Sequence, residues 1–178
     1  YDKGLNFLLK AIPLILRKYS TVQFVITGKG DEHLILKLIN SLGQEQKDRV
    51  RFLGEINHKE IGLLFCLSDI VLLPYQSTDF SRAACPLKVF EAMATKTAIL
   101  ASNLPGISEV LENNKTAILY PAGNFEKFLA SLSKLIEDQK LRKLLTTHAQ
   151  QVFKKNFQWP LIQDKYINFI YSRLGAHK

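Results

Sequence analysis

No stretch of this sequence approaches the roughly 20 uninterrupted apolar residues that a membrane-spanning helix needs, and no basic-then-apolar leader opens it. The expectation is a segment that neither crosses a membrane nor carries a signal peptide. Cysteine is scarce: Cys66 and Cys85 are the only two, without Cys-x-x-Cys spacing, which fits a reducing, cytosolic setting. Cys66 lies in the apolar run Leu63-Leu-Phe-Cys-Leu67 and reads as a small packed hydrophobe. The four histidines, His33, His58, His148 and His177, lack partners at ligand spacing, so no metal site and no cofactor is expected. No zinc-finger, helix-turn-helix or aromatic RNA-binding signature is present, which argues against nucleic acid as a partner. An initiator methionine is also missing, and the sequence reads as a fragment of a longer chain.

Acidic residues are in deficit, 16 against 24 Lys and Arg, for a formal net charge of +8. A positive field of this kind draws phosphates and anionic lipid headgroups alike. The cations Lys10, Arg17, Lys18, Lys37, Lys134, Lys140, Arg142, Lys143, Lys154 and Lys155 fall mostly on helical segments between apolar positions. Two readings stay open: ordinary solvated helix faces, or a patch for an anionic membrane surface.

What is present is an alternation of helix and strand patterns in 178 residues, 47% of them hydrophobic, enough for one well-packed domain over residues 1–178. Leu5, Leu8, Leu9, Ile12, Ile15, Leu16 and Tyr19 follow a helical stripe, interrupted by Pro13, which predicts a kink or break. Strands are predicted at 22–26, 50–53, 70–74, 98–102 and 117–120. Helices are predicted at 32–42, 59–67, 87–94, 107–113, 125–138, 141–156 and 160–174. The predicted fold class is α/β, a Rossmann-like parallel sheet of about five to six strands flanked by helices. The run Ile70-Val-Leu-Leu73 is apolar on both faces, as a central strand should be. Ligands in such sheets bind beyond the carboxyl ends of the strands, where Gly28, Leu53, Pro74 and the loop 75–85 fall.

The stretch Cys85-Pro-Leu-Lys-Val-Phe-Glu91-Ala-Met-Ala94 is the most informative. Pro86 suits the first position of a helix, which leaves the N–H groups of Leu87 and Lys88 free to face an anion. Glu91 lies three residues beyond Lys88 on much the same face and suits the two hydroxyls of a ribose. Taken alone, the stretch also reads as an ordinary helix start with a solvated glutamate.

The order of motifs resembles the C-terminal half of the retaining, nucleotide-sugar-dependent glycosyltransferases of the GT-B fold, family 4. Lys3-Gly4 before a long helix resembles the opening of that half, Val25-Ile-Thr-Gly28-Lys-Gly30 its strand and Gly-x-Gly turn, and Val50-Arg-Phe-Leu-Gly54 its Val-x-Phe-x-Gly strand. Ser68-Asp-Ile-Val-Leu-Leu-Pro74 resembles the strand that ends at the donor site. Leu87-Lys-Val-Phe-Glu91-Ala-Met-Ala, Gly106-Ile-Ser-Glu109 and Phe157-Gln-Trp159 follow in the family's order. The resemblance implies one half of a GT-B fold, an absent N-terminal acceptor domain as partner, and transfer of a sugar from a nucleoside diphosphate sugar to a hydroxyl with retained configuration. It implies that Lys3, Gly28, Gly30, Leu53, Leu87, Lys88 and Glu91 face the donor nucleotide and its diphosphate, without a metal. It also implies a lipid-linked or polysaccharide acceptor at the cytoplasmic membrane face. The family places a further Arg several residues before Lys3, upstream of Tyr1.

Departures from the pattern are specific. The first carboxylate of the family's Glu-x7-Glu pair falls at Ala83, which leaves Asp79 or Arg82 as substitutes. Lys96, Pro105 and Ala117 stand where glycines are usual, and Ala98 where a proline is usual. From residue 157 to 174 the sequence carries Trp159, Leu161, Ile162, Tyr166, Phe169, Ile170 and Tyr171, more apolar surface than one solvated helix should show, so part of it is expected to be exposed. A same-fold epimerase or phosphorylase, and a non-catalytic module that holds a partner protein, are the alternative readings.

Overall fold

The computed structural model describes residues 3–174. His177 lies outside them. In chain order the elements are α1 (Leu5–Lys18), β1 (Phe24–Ile26), α2 (Glu32–Ser41), α3 (Gln44–Lys47), β2 (Val50–Phe52), α4 (His58–Leu67), β3 (Ile70–Leu73), α5 (Asp79–Ala83), α6 (Leu87–Thr95), β4 (Ala98–Asn103), α7 (Pro105–Ser108), β5 (Ile118–Pro121), α8 (Phe125–Glu137), α9 (Gln139–Asn156) and α10 (Trp159–Leu174). All strand pairings are parallel, in the predicted α/β class. The strands form two sheets: β1 pairs with β2, and β3, β4 and β5 pair in that order. One continuous sheet was expected.

Alternation along β4 explains the layering, since period-2 side chains must serve both faces of a covered sheet. Leu100 joins Ile12, Leu16, Phe24, Ile118, Tyr120 and Phe128 on the face covered by α1 and α8. Ile99 and Ala101 join Val89, Met93, Leu104 and Ile107 on the face covered by α6 and α7. The first of these clusters also contains Phe24 of β1 and Val50 of β2, so both sheets share it. β4 is the buried strand, whereas β3 stands at an edge and buries only Leu73 fully. That corrects its expected central position.

Three further expectations are revised. Helix α1 runs through Pro13 without a break, because Ala11, Ile12, Ile15 and Leu16 on either side are buried and fix the helix against the sheet despite the donor lost at the proline. The helix expected at 107–113 is a single turn, Pro105–Ser108, after which the chain is held in a loop: Thr116 Oγ1 accepts from Glu112 N–H at 2.8 Å and Asn113 Oδ1 from Leu119 N–H at 2.9 Å. Cys66 is exposed rather than packed, since Phe65 takes the buried position of α4.

Two arginines act as internal braces. Arg49 donates to Leu16 O at 2.9 Å and to Tyr19 O at 2.8 Å, closing the carbonyl end of α1. Arg142, expected on a solvated helix face or in a patch for an anionic membrane surface, is half-buried instead. It donates to Ile136 O at 3.0 Å and pairs with Asp69 at 3.6 Å.

Candidate functional site

The carboxyl ends of the strands carry the candidate residues, and glycine contacts set their positions. Gly4 has φ 73°, and a β-carbon there would stand 1.8 Å from Pro74 O, so only glycine allows the start of α1 to lie against the end of β3. This packing carries Lys3, which is exposed, to the same end of the sheet as the loop 75–85. Gly28 N–H donates to Gly54 O at 2.8 Å and Leu53 N–H to Ile26 O at 3.0 Å, which ties the ends of β1 and β2 together. Lys29 and Glu55 add an exposed ion pair at 3.4 Å across the same junction.

Gly30 bonds within its own turn. Its N–H donates to Glu32 Oε1 at 3.0 Å, and that bond, followed by others at the helix start, holds the Glu32 carboxyl below its ordinary pKa. Leu53 is exposed, so core packing does not explain it.

The start of α6 departs by one residue from the expected helix boundary. Pro86, with φ −67° and ψ 135°, is the N-cap rather than the first helical residue, and no side chain caps the helix. Val89 N–H bonds back to Pro86 O at 3.0 Å. The N–H groups of Leu87 and Lys88 have no partner among the described residues and point along the helix axis away from its body. Their side chains are exposed, while Val89, Ala92 and Met93 are buried and fix the helix. Glu91 is half-exposed one turn on, and Phe90 packs edge-on against Phe157 at 5.0 Å.

The loop before α6 is organised from within. Ser81 is buried; its N–H donates to Thr78 Oγ1 at 3.1 Å and its Oγ accepts from Thr78 N–H at 2.9 Å, which closes the turn of α5. Ala83, Asp79 and Arg82 are all exposed on this short helix. Cys85 is half-buried; burial, and then the charge of Glu109, push its thiol pKa up. Burial does the same to Tyr75, with Cys85 as the second cause. Tyr75 and Cys85 both pack against the apolar cluster that holds Val89 and Met93 of α6.

Gly106 belongs to the motif Gly106-Ile-Ser-Glu109, which by itself assigns it no role. A β-carbon on Gly106 would stand 2.6 Å from Ala84 O and 3.2 Å from Cys85 N, so this glycine seats the peptide that leads into α6. The signal was its place in Gly-Ile-Ser-Glu, without a partner to interpret it. Among the described residues no three His, Cys, Asp or Glu side chains are grouped to hold a metal ion, and no helix is long and apolar enough to cross a membrane.

The family described as glycosyl transferases group 1 matches residues 1–152. Spore coat protein SA of Bacillus subtilis (strain 168) is 28% identical over 174 residues, covering 93% of this chain and 45% of that protein. The C-terminal domain of a glycosyl transferase group 1 family protein (LpcC) from Francisella tularensis superposes with a TM-score of 0.74 at 24% identity, over 89% of this chain and 81% of that one. Anabaena Alr3699/HepE in complex with UDP superposes with a TM-score of 0.79 at 20% identity, over 96% and 46% of the two chains. The chain spans less than half the length of the first curated relatives it matches.

Proposed function

The chain belongs to the group 1 glycosyltransferases and has the Rossmann-like α/β fold of one half of a GT-B enzyme, and from that membership we propose that it is the donor-binding half of a retaining glycosyltransferase. The observation that carries the reading is the uncapped start of α6, with the free N–H groups of Leu87 and Lys88 and the half-exposed Glu91 one turn on. Such a helix end favours a diphosphate, and Glu91 accepts from the ribose hydroxyls. As the glycosidic bond breaks, negative charge grows on the departing nucleoside diphosphate. Backbone N–H groups fixed in place and the ammonium of Lys3 stabilise it without reorganising. That one structural relative was solved in complex with UDP supports a nucleoside diphosphate as the leaving group.

The remaining parts of the reading concern the whole protein. The acceptor hydroxyl belongs to a second, N-terminal domain, and this half alone binds donor without turnover. The exposed aromatic side chains of α10, Trp159, Tyr166 and Phe169 among them, suit a helix that packs on that domain. Asp79 or Arg82, both exposed on α5 beside Ala83, meets the donor sugar in place of the absent glutamate. The acceptor is a lipid-linked or polysaccharide hydroxyl at the cytoplasmic membrane face, toward which the net charge of +8 draws the protein. Ligand-observed NMR of the full-length protein with UDP, GDP, ADP and their sugar conjugates tests the reading. Binding of one base and a product of retained anomeric configuration support it; failure to bind any of them at millimolar concentration overturns it.

A further inference from the structure

We propose that a polar cleft at the amino ends of β3 and β4 binds the phosphoryl group of free phosphate or of a small phosphate monoester, held by Lys96, Arg142 and Lys143. This rests on the side chains that line the cleft and not on the glycosyltransferase reading. Ser68 and Asp69 lead into β3 and Lys96 precedes β4, so the cleft lies at the end of the sheet opposite to Pro74 and the loop 75–85. Helix α6 joins the two ends: it runs nine residues, about 14 Å, from its open start at Leu87 to Lys96. The cleft measures about 160 Å³, about five times the share of one water molecule in the liquid. That is room for a tetrahedral anion with a short organic group, and too little for a nucleotide.

Charge in the cleft is one-sided. Three cations, Lys96, Arg142 and Lys143, stand against one carboxylate, Asp69. Helix α9 carries no Asp or Glu from Gln139 to Asn156. The acids of the neighbouring elements are engaged or distant: Asp138 accepts from Leu141 N–H at 2.8 Å, Glu137 pairs with Lys18 at 3.1 Å, and Glu60 accepts from Asn57 N–H at 3.1 Å at the far end of α4. Glu91 lies more than a turn before Lys96. Among the described residues neither Lys96 nor Lys143 belongs to an ion pair. The excess of two positive charges matches a phosphate monoester, which is close to a dianion at neutral pH.

Arg142 supplies the fixed element. Its side chain is 16% exposed, and its Nη1 donates to Ile136 O at 3.0 Å. Its Nη2 has no acceptor at hydrogen-bond distance among the described residues, only Asp69 Oδ1 at 3.6 Å on a side chain that is itself 82% exposed. A guanidinium taken so far out of water needs acceptors, and one that lines a cleft with donors to spare suits phosphate oxygens. Gln139 lines the cleft from the first position of α9, where the N–H groups of Gln139 and Lys140 have no partner among the described residues and add the positive end of the helix. Lys96 is held against its own backbone preference. It ends α6 in the left-handed region, at φ 59° and ψ 37°, which glycine adopts without strain. An outlier of this kind persists where something other than the backbone favours it, and Lys96 is the cation that α6 contributes to the cleft alongside the two from α9.

Inorganic phosphate, glycerol phosphate and sodium chloride of equal ionic strength, titrated into the full-length protein, test the proposal through the amide resonances of Lys96, Thr97, Gln139 and Lys143. The expected result is saturable shifts at these amides with both phosphates and none with chloride, and the tighter of the two names the source of the phosphoryl group. Lys143→Gln and Lys96→Gly are each expected to weaken binding about tenfold, the loss of one charged contact. Because Lys96→Gly relieves backbone strain, a variant that is more stable and yet binds more weakly separates a lost ligand contact from misfolding. No shift at tens of millimolar phosphate overturns the proposal, as do shifts that chloride reproduces, shifts confined to Leu87 and Lys88, or binding that both variants retain. So does adhesion to anionic lipid vesicles that both variants lose while phosphate moves no amide, which assigns these lysines to a membrane surface.

Discussion

Gly106 lies so close to Ala84 that a β-carbon on it would stand 2.6 Å from the Ala84 carbonyl oxygen and 2.8 Å from its carbon. The contact couples α7 to the peptide that leads into Pro86 and the open start of α6. Both partners are backbone on the Ala84 side, so neither rotates out of the way.

Gly106→Ala is therefore expected to shift the Ala84–Cys85 peptide and with it the N–H groups of Leu87 and Lys88. The predicted cost is about 1–3 kcal/mol of stability, read from urea denaturation, with weaker nucleotide binding by titration. Unchanged binding in a folded variant means that α6 does not depend on this seat.

Lys96 ends α6 at φ 59° and ψ 37°, a left-handed conformation that glycine adopts without strain. Lys96→Gly is predicted to stabilise the protein by about 1 kcal/mol. A higher urea midpoint at unchanged slope is the expected readout, and a lower midpoint shows that the Lys96 side chain makes a contribution larger than the strain.

Arg49 closes the carbonyl end of α1 and pairs with Glu45 at 3.6 Å. Arg49→Ala removes charge-assisted bonds from part-buried carbonyls, at a predicted cost of about 2 kcal/mol. Arg49→Lys is expected to recover only part of it, because an ammonium does not span the Leu16 and Tyr19 carbonyls as a guanidinium fork does. Thermal denaturation of the two variants separates the outcomes.

The thiols respond to alkylation differently. Cys66 is exposed, so iodoacetamide labels it first. In the Cys66→Ser variant, labelling of Cys85 has its pH midpoint above that of an ordinary thiol, and Glu109→Gln lowers the midpoint by the smaller of the two causes. Three groups raised mainly by burial, Cys85, Tyr75 and Tyr120 (the last pushed up to about 12, against a smaller lowering by its hydrogen bond with Ser102), hold their protons more tightly folded than unfolded. Their stabilising effect is complete below the unfolded-state pKa values and is lost as pH rises from there through the higher folded-state values, so urea midpoints fall at alkaline pH. A midpoint that rises over the same range contradicts the assignment.

Much of the fold was readable because period sets structure: the stripe of α1, the β-branched runs of β1 and β2 and the apolar Ile70–Leu73 run all fell where expected. What was misread depended on distant partners. Pro13 does not break α1 because the sheet holds Ile12 and Ile15 on both sides of it. Arg142 is a brace, visible only once Leu135, Ile136 and Asp69 are beside it. β3 has the composition of a central strand and the position of an edge, a mismatch that neither sequence nor pairing reveals alone. At the site, the helix start, Leu87, Lys88 and Glu91 were legible as a local pattern. The Glu32 carboxylate on Gly30 and the Gly106 seat under Ala84 were not, because each depends on contacts that residue types do not specify.

The most direct measurement follows the amide resonances of Leu87 and Lys88 in the full-length protein while a nucleoside diphosphate is added, with the parent nucleoside as control. The account predicts large shifts of these two amides with the diphosphate, little change with the nucleoside, and affinity about tenfold weaker in Glu91→Ala, the loss of roughly one hydrogen bond. Binding of the diphosphate that leaves both amides unmoved would contradict it.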